Sequence, residues 1–294
     1  MNYFFIYIKG LCMGAADVVP GVSGGTIAFI SGIYERLLQA ISHVDMVFIK
    51  KLSRGEIKAA WTYLDGSFLT VLFLGILTSF LLLARVVLYF MEYHTELFWG
   101  GMAGLILAST ILVWRQLKKW NWIYFLPLLL GAGSAYFISI ATPSATPNDL
   151  WFIFLSGMIA ICAMILPGIS GSFILVLLQK YEYMMTAIKE IRIAEIVIFI
   201  AGCVVGLLSF ARLLKYLFRA YHDITVMVMA GFMLGSLIKL WPWKTQIESG
   251  TFFKEVNVLP SEYTGDPKVL AVVVTFVLCC AFVMLLEYIA LKKK

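Results

Sequence analysis

Two short peptides carry the residue types from which this chain could build a site for a charged ligand. The first, Asp17-Val18-Val19-Pro20-Gly21-Val22-Ser23-Gly24-Gly25-Thr26, combines an acid, a proline, glycines and two hydroxyls. The second, Pro167-Gly168-Ile169-Ser170-Gly171-Ser172, repeats its Pro-Gly-x-Ser-Gly core. Pro-Gly at 20–21 and at 167–168 breaks a helix. A helix restarting at Ser23 or Ser170 presents unpaired N–H groups and a partial positive charge, a natural seat for an anion such as phosphate. Gly24, Gly25 and Gly171 would let a ligand approach the backbone, and Ser23, Thr26, Ser170 and Ser172 could add hydroxyl donors. The competing reading is that each Gly-Ser turn only permits tight helix packing.

Both peptides lie where the surrounding residues ask for lipid. The chain has 294 residues, 62% of them hydrophobic and 14% charged, with a mean hydropathy of +0.92. That composition excludes an ordinary soluble domain and indicates a polytopic membrane protein. The start, MNYFFIYIKG, has no basic residue ahead of its apolar run and no small-residue cleavage site, and is read as retained. The five cysteines lie in apolar segments without metal-ligand spacing and are read as buried free thiols. The net charge of +6 comes from basic residues in loops and at helix ends, so it points to membrane topology and not to nucleic acid.

The chain is written twice. At an offset of 147, residues 20–41 fall on 167–188 with nine identities in 22 positions. At an offset of 127, residues 75–114 fall on 202–241 with 12 identities in 40, pairing Arg85 with Arg212 and Trp114 with Trp241. The change of offset places an extra loop of 20 residues around 43–61 in the first half. The elements that must position the two peptides follow. Repeat 1 (1–149) holds a re-entrant hairpin, 3–41, and spans at 67–91, 95–114 and 122–141. Repeat 2 (150–294) holds a re-entrant hairpin, 150–188, and spans at 194–218, 223–243 and 269–291. Within each hairpin a first piece (3–19 or 150–166) is followed, after the break, by a single second piece (21–41 or 168–188). The expected fold is all-α.

Loop charges set the orientation. Lys50, Lys51, Arg54 and Lys58, then Arg115, Lys118 and Lys119, then Lys292–Lys294 fall on one side, while 92–96 and 142–149 contain no lysine or arginine. The positive-inside rule places both termini in the cytoplasm. Three crossings per repeat make the second half upside down relative to the first, the inverted-repeat architecture of transporters with broken helices. Non-helical backbone at membrane depth must be buried in protein or line a polar cavity, so 20–26 and 167–172 are expected to meet near the pseudo-two-fold axis.

Arg85 and Arg212 are a second pointer to an anion. Each sits about 18 residues into its span, where a guanidinium needs either an anionic partner or a route to the headgroups. Asp17 faces Met164 in the alignment and either binds a coupling proton or cation such as sodium, or caps the second half-helix. Lys9 is read as an interfacial anchor, Glu35 and Glu182 as solvated helix ends, and Tyr34 and Tyr181 as belt residues.

The stretches 14–37 and 165–184, with the MAGLILAS/MAGFMLGS pair at 102–109 and 229–236, resemble the bacterial polyprenyl-phosphate transporter family, long described as a membrane domain of unknown function. The resemblance covers essentially the whole chain. It implies translocation of undecaprenyl phosphate, the lipid carrier of cell-wall precursors, across the bacterial cytoplasmic membrane for reuse. The motif residues it reaches are Asp17, Pro20, Gly21, Ser23, Gly24, Gly25 and Thr26, then Pro167, Gly168, Ser170, Gly171 and Ser172. Phosphate contact at these positions, with Arg85 and Arg212 passing the headgroup inward, is an inference from their chemistry. A flippase of this kind would have the lipid phosphate and membrane lipids as its partners.

Two other classes use the same residues. A transporter or channel for a small soluble anion would need a closed aqueous vestibule instead of a slot open to lipid. An intramembrane serine hydrolase is suggested by GVSGG at 21–25, which fits the G-x-S-x-G pattern, but that elbow needs a strand-to-helix turn and a base. His43, His94 and His222 lie in a loop or at span ends, so no enzyme is expected. No metal cluster, cofactor motif or nucleotide-binding loop is expected either.

Overall fold

The computed structural model describes residues 2–19, 22–114, 117, 121–249 and 252–292. Pro20 and Gly21 of the first break, and Arg115, Lys118, Lys119, Lys293 and Lys294 of the loop-charge pattern, lie outside the described residues.

Helix α1 (Tyr3–Val18) runs to the first break, after which Ser23 starts α2 (Gly24–Ile30). The chain continues through α3 (Tyr34–Ser42), α4 (Met46–Ser53) and α5 (Ile57–Tyr63) into the long α6 (Gly66–Tyr93), then α7 (Thr95–Val113) and α8 (Phe125–Ile140). The same order returns as α9 (Leu150–Ile165), α10 (Gly171–Leu177), α11 (Tyr181–Lys189), α12 (Ile193–Ala220), α13 (His222–Ser236) and α14 (Val269–Lys292). Lengths repeat as well: α1 and α9 have 16 residues, α2 and α10 have 7, α3 and α11 have 9, α6 and α12 have 28.

Packing repeats with the order. α1 lies along α6 and α9 along α12, while α14 packs on α7 and α8 on α13, so each half lends its last helix to the other. Bare glycine backbones make these crossings close. A Cβ at Gly10 would strike the Leu72 carbonyl and one at Gly157 the Phe199 carbonyl; Gly104 and Gly231 stand in the same relation to Phe276 and Leu128. Small residues let helix backbones approach where lipid offers no hydrophobic drive between them.

Among the described residues, five helical stretches are long and apolar enough to cross a membrane: Gly66–Tyr93, Thr95–Val113, Trp122–Ile140, Ile193–Ala220 and His222–Leu240. The sixth expected span falls in α14, whose apolar part among residues with described side chains is Val269–Leu285. Side chains such as Leu81, Leu82 and Leu270 point outward at 76, 65 and 79% exposure, as a lipid-facing surface requires. The chain is a multi-pass membrane protein with an almost wholly helical fold.

Three expectations need correction. The pieces 21–41 and 168–188 are each two helices, not one. α2 ends in a Schellman turn, with Ile33 N–H bonded to Ala28 O and Gly32 N–H to Phe29 O, and Gly32 at φ +71°. α10 ends the same way through Lys180 and Gln179, with Gln179 at φ +53°. The extra loop of the first half folds into α4 and α5, because Asp45 caps α4 by accepting from Val47 and Phe48 N–H. The 244–268 connection, expected as a loop, contains an antiparallel hairpin, β1 (Lys244–Ser249) with β2 (Phe252–Asn257), in register from Lys244↔Asn257 to Ser249↔Phe252. Thr245 and Val256, which face each other across the pair, are β-branched and favour strand pairing.

Candidate functional site

The two breaks meet. Ser23 donates its Oγ–H to the Met164 carbonyl at 2.6 Å, the Gly168 N–H donates to Thr26 Oγ1 at 2.8 Å, and the Tyr34 hydroxyl donates to the Ile165 carbonyl at 3.1 Å. Ser23, Thr26 and Tyr34 are at most 2% exposed. The carbonyls left over where α9 ends are therefore satisfied by hydroxyls from α2 and α3, as buried backbone oxygens demand. A Cβ at Gly25 would come within 2.5 Å of the Ile165 oxygen, so only glycine lets α2 sit this close.

The two helix starts at this junction differ. At α2 the chain satisfies its own helix-start N–H groups. Asp17 Oδ1 accepts from Gly24 N–H at 2.7 Å, Ser23 Oγ from Gly25 N–H at 3.0 Å, and Ser23 O from Thr26 N–H at 2.9 Å. Asp17 is thus a cap in this conformation, the second of its two sequence readings. At α10 the capping position, Ser170, makes no side-chain cap bond, and its Oγ pairs instead with Ser172 Oγ at 2.8 Å. Ser170 is 7% exposed and Ser172 faces outward. The second break also abuts α13: a Cβ on Gly168, at φ +87°, would meet Phe232 O and Ser236 Oγ.

Other site candidates sit away from this junction. Arg212 donates to the Val44 carbonyl at 2.7 Å, and Arg85 lies on the exposed face of α6, with no hydrogen bond or ion pair among the described residues. Tyr34, expected in an interfacial belt, is instead buried at the junction, because its hydroxyl reaches Ile165 O. Lys9 caps α2 from outside by donating to Ser31 O at 2.5 Å. All five cysteines are free thiols, but none is buried as expected: Cys12 is exposed, and Cys162, Cys203, Cys279 and Cys280 are half-buried.

Sequence reading passed over two lysines near the second hairpin. Lys180, 1% exposed, donates to Asn148 Oδ1 at 2.6 Å and Thr146 O at 3.1 Å. Lys239, in the one-turn 3-10 helix after α13 (Leu237–Leu240), sets its Nζ 3.9 Å from the centre of the Phe173 ring, in the first turn of α10. Their signal was a charge inside or beside an apolar segment, the same one that singled out the arginines.

Ser23 Oγ is spent on Met164 O and Gly25 N–H. His43 stacks on Tyr63, and His222 lies beside Glu35 and Asp223. Among the described residues, no histidine contacts Ser23 or Ser170.

Residues 13–255 match the model of a family described as undecaprenyl phosphate translocase-like (VCA0040-like). The chain belongs to this family. As a member, it is 45% identical over 244 residues to a polyprenyl-phosphate transporter of Vibrio cholerae serotype O1, covering 83% of this chain and 79% of that protein. It is 28% identical over 253 residues to a polyprenyl-phosphate transporter of Staphylococcus aureus, covering 80 and 85% of the two chains. No solved structure matches this family member.

Proposed function

We propose that the chain is a transporter of polyprenyl phosphate, undecaprenyl phosphate in particular, which carries the headgroup across the bacterial cytoplasmic membrane while the isoprenoid tail stays in lipid. The observation that carries this reading is the junction of the two breaks inside a family member whose relatives bear that name. Moving a lipid phosphate is hard because its charge must cross hydrocarbon, and helix starts with hydroxyl donors lower that barrier without an aqueous pore.

Two re-entrant hairpins in oppositely oriented halves bring one such start from each face, with the hairpins breaking at Pro20-Gly21 and Pro167-Gly168. The Ser170–Ser172 hydroxyls with Gly171 are the seat better placed to receive phosphate, since the α2 start is occupied by Asp17. Asp17 and the phosphate then compete for Gly24 N–H. A proton on Asp17 weakens the cap and frees the Gly24 N–H for substrate, which couples headgroup movement to protonation. Arg85 and Arg212 collect the headgroup at the two faces, and one half rocks against the other.

Reconstitution into vesicles loaded on one leaflet with a fluorescent polyprenyl phosphate tests the function. The protein is expected to move it at a rate that excess inorganic phosphate leaves unchanged; equal rates in empty vesicles would end the proposal. Competition by inorganic phosphate with no effect of the tail would favour a small-anion transporter instead.

A further inference from the structure

The first half carries an element that the second lacks. Residues 190–192 suffice to join α11 to α12, whereas 43–65 join α3 to α6 and fold into α4 and α5. Duplication gives no reason for this pair. Its level relative to the membrane follows from Trp61. A Cβ on Gly66, the first residue of α6, would strike the Trp61 indole, whose Nε1–H donates to Ser67 Oγ at 3.1 Å. Thr70, Phe73 and Leu77 stand at i+4, i+7 and i+11 from Gly66, on one helix face, and all three are exposed. Trp61 therefore caps the lipid-facing stripe of a membrane span, where tryptophan marks the bilayer surface. Ile57, one turn earlier on the same face of α5, is 68% exposed and Trp61 is 47% exposed.

Beside that apolar edge lies a groove of about 590 Å³, lined by Lys51 of α4 and by Lys58, Ala59, Thr62 and Tyr63 of α5. Lys58 and Thr62 directly follow Ile57 and Trp61 in sequence, so they form the adjoining stripe of the same helix. The hydroxyls of the groove are spent, Thr62 Oγ1 on Lys58 O at 3.0 Å and Tyr63 on Asp45 Oδ2 at 2.8 Å. Two ammonium groups are left to meet a ligand. Lys58 Nζ makes no ion pair or hydrogen bond among the described residues. Lys51 makes one exposed contact, 3.9 Å from Glu56 Oε2, of a kind that contributes little.

We propose that this groove seats the headgroup of an anionic phospholipid from the bilayer leaflet at this end of α6. Lys51 and Lys58 pair with the phosphodiester, and the acyl chains run past Trp61 along the Thr70, Phe73 and Leu77 stripe. Charge complementarity favours this occupant: residues 43–63 hold four basic residues against two acids, and cations at a membrane surface are drawn to anionic lipid. A soluble anion gives no reason for the bare Ile57–Trp61 edge. With the orientation set by the loop charges, the leaflet is the cytoplasmic one. The groove is also tied to the first hairpin, since His43 Nδ1 meets Tyr63 O at 2.7 Å and Arg36 pairs with Asp65 at 2.6 Å. A lipid held there steadies α3, and the second hairpin has no equivalent. The inference goes beyond the transport of polyprenyl phosphate and does not depend on it.

Phosphatidylglycerol with a diazirine on one acyl chain is the probe, used on the full-length protein in detergent, with phosphatidylcholine and glycerol 1-phosphate as competitors. Wild type is expected to crosslink within 57–77 and to be competed by unlabelled phosphatidylglycerol but by neither of the others. The double variant Lys51→Gln/Lys58→Gln is expected to weaken binding about tenfold. Lys58→Arg retains it, and so does Lys50→Gln, which removes a cation outside the groove. Equal unfolding temperatures without added lipid identify the variants as folded. Wild-type binding by the double variant, or crosslinks confined to other segments, overturns the lipid seat. Full competition by glycerol 1-phosphate overturns it too, in favour of a soluble-anion site. Each of these failures leaves vesicle transport of polyprenyl phosphate standing on its own test.

Discussion

Asp17 carries the sharpest chemistry at the scale of single residues. Its carboxylate holds Gly24 N–H, so it is both a cap and a competitor for any anion arriving at α2. Asparagine caps about as well as aspartate but takes up no proton. Asp17→Asn is therefore expected to keep thermal stability and to slow vesicle transport while removing its dependence on proton concentration; Asp17→Ala should in addition cost about 1 kcal/mol of stability. Unchanged transport by Asp17→Asn would leave the residue as a cap only. The acid, the hydroxyls and the glycines were legible in the sequence as a set because their types are so costly in lipid. Which of them face each other was not: Thr26 meeting Gly168 and Tyr34 meeting Ile165 are contacts between distant segments, and tyrosine beside a charged Glu35 reads equally well as an interfacial residue.

Helices were legible wherever length and apolarity decided, which is why the bounds of α6 and α12 fall within a few residues of the expected spans. The places that went unread are those where short-range backbone chemistry outweighs hydropathy. Gly32 closes α2 by adopting a left-handed conformation in which it has no Cβ to clash. Gln179 takes the same role in α10 at φ +53°, a strain an apolar scan does not register. Gln179→Gly is accordingly expected to stabilise the protein by about 1 kcal/mol and Gly32→Ala to destabilise it by a similar amount, read as shifts in detergent-solubilised thermal unfolding. The opposite signs would show that these turns do not set the helix ends. The α4–α5 pair and the β-hairpin were missed for a related reason, since polar connections between spans carry little periodicity.

Across the whole molecule, the duplication organises everything else. In one half-pair Glu96, in the first turn of α7, accepts from the Tyr263 hydroxyl at 2.7 Å and faces Lys268 Nζ at 3.6 Å; in the other, Asp223 of α13 accepts from Tyr124 at 3.3 Å. Glu96 and Asp223 are equivalent positions at the offset of 127, and each tyrosine precedes the helix lent by the opposite half. The hydrogen bond to Glu96, with burial behind it, pushes the Tyr263 hydroxyl from an ordinary value of 10.0 up to about 12. Because the folded value is the higher one, this stabilisation is whole below the unfolded value and is lost as the pH rises through about 12. Tyr263→Phe should remove that alkaline step and cost about 1 kcal/mol at neutral pH, measured by chemical unfolding in detergent.

Matched latches and lent helices make sense for a transporter only if the halves face opposite ways, so that the interrupted segments approach one another from the two sides of the bilayer. Single cysteines placed in a cysteine-free background at Ser53, after the first hairpin, and at Ile191, after the second, test this with a membrane-impermeant thiol reagent on intact cells and on inverted vesicles. Opposite orientation predicts that position 191 reacts in intact cells and position 53 only in inverted vesicles. Reaction of both from the same side would contradict it.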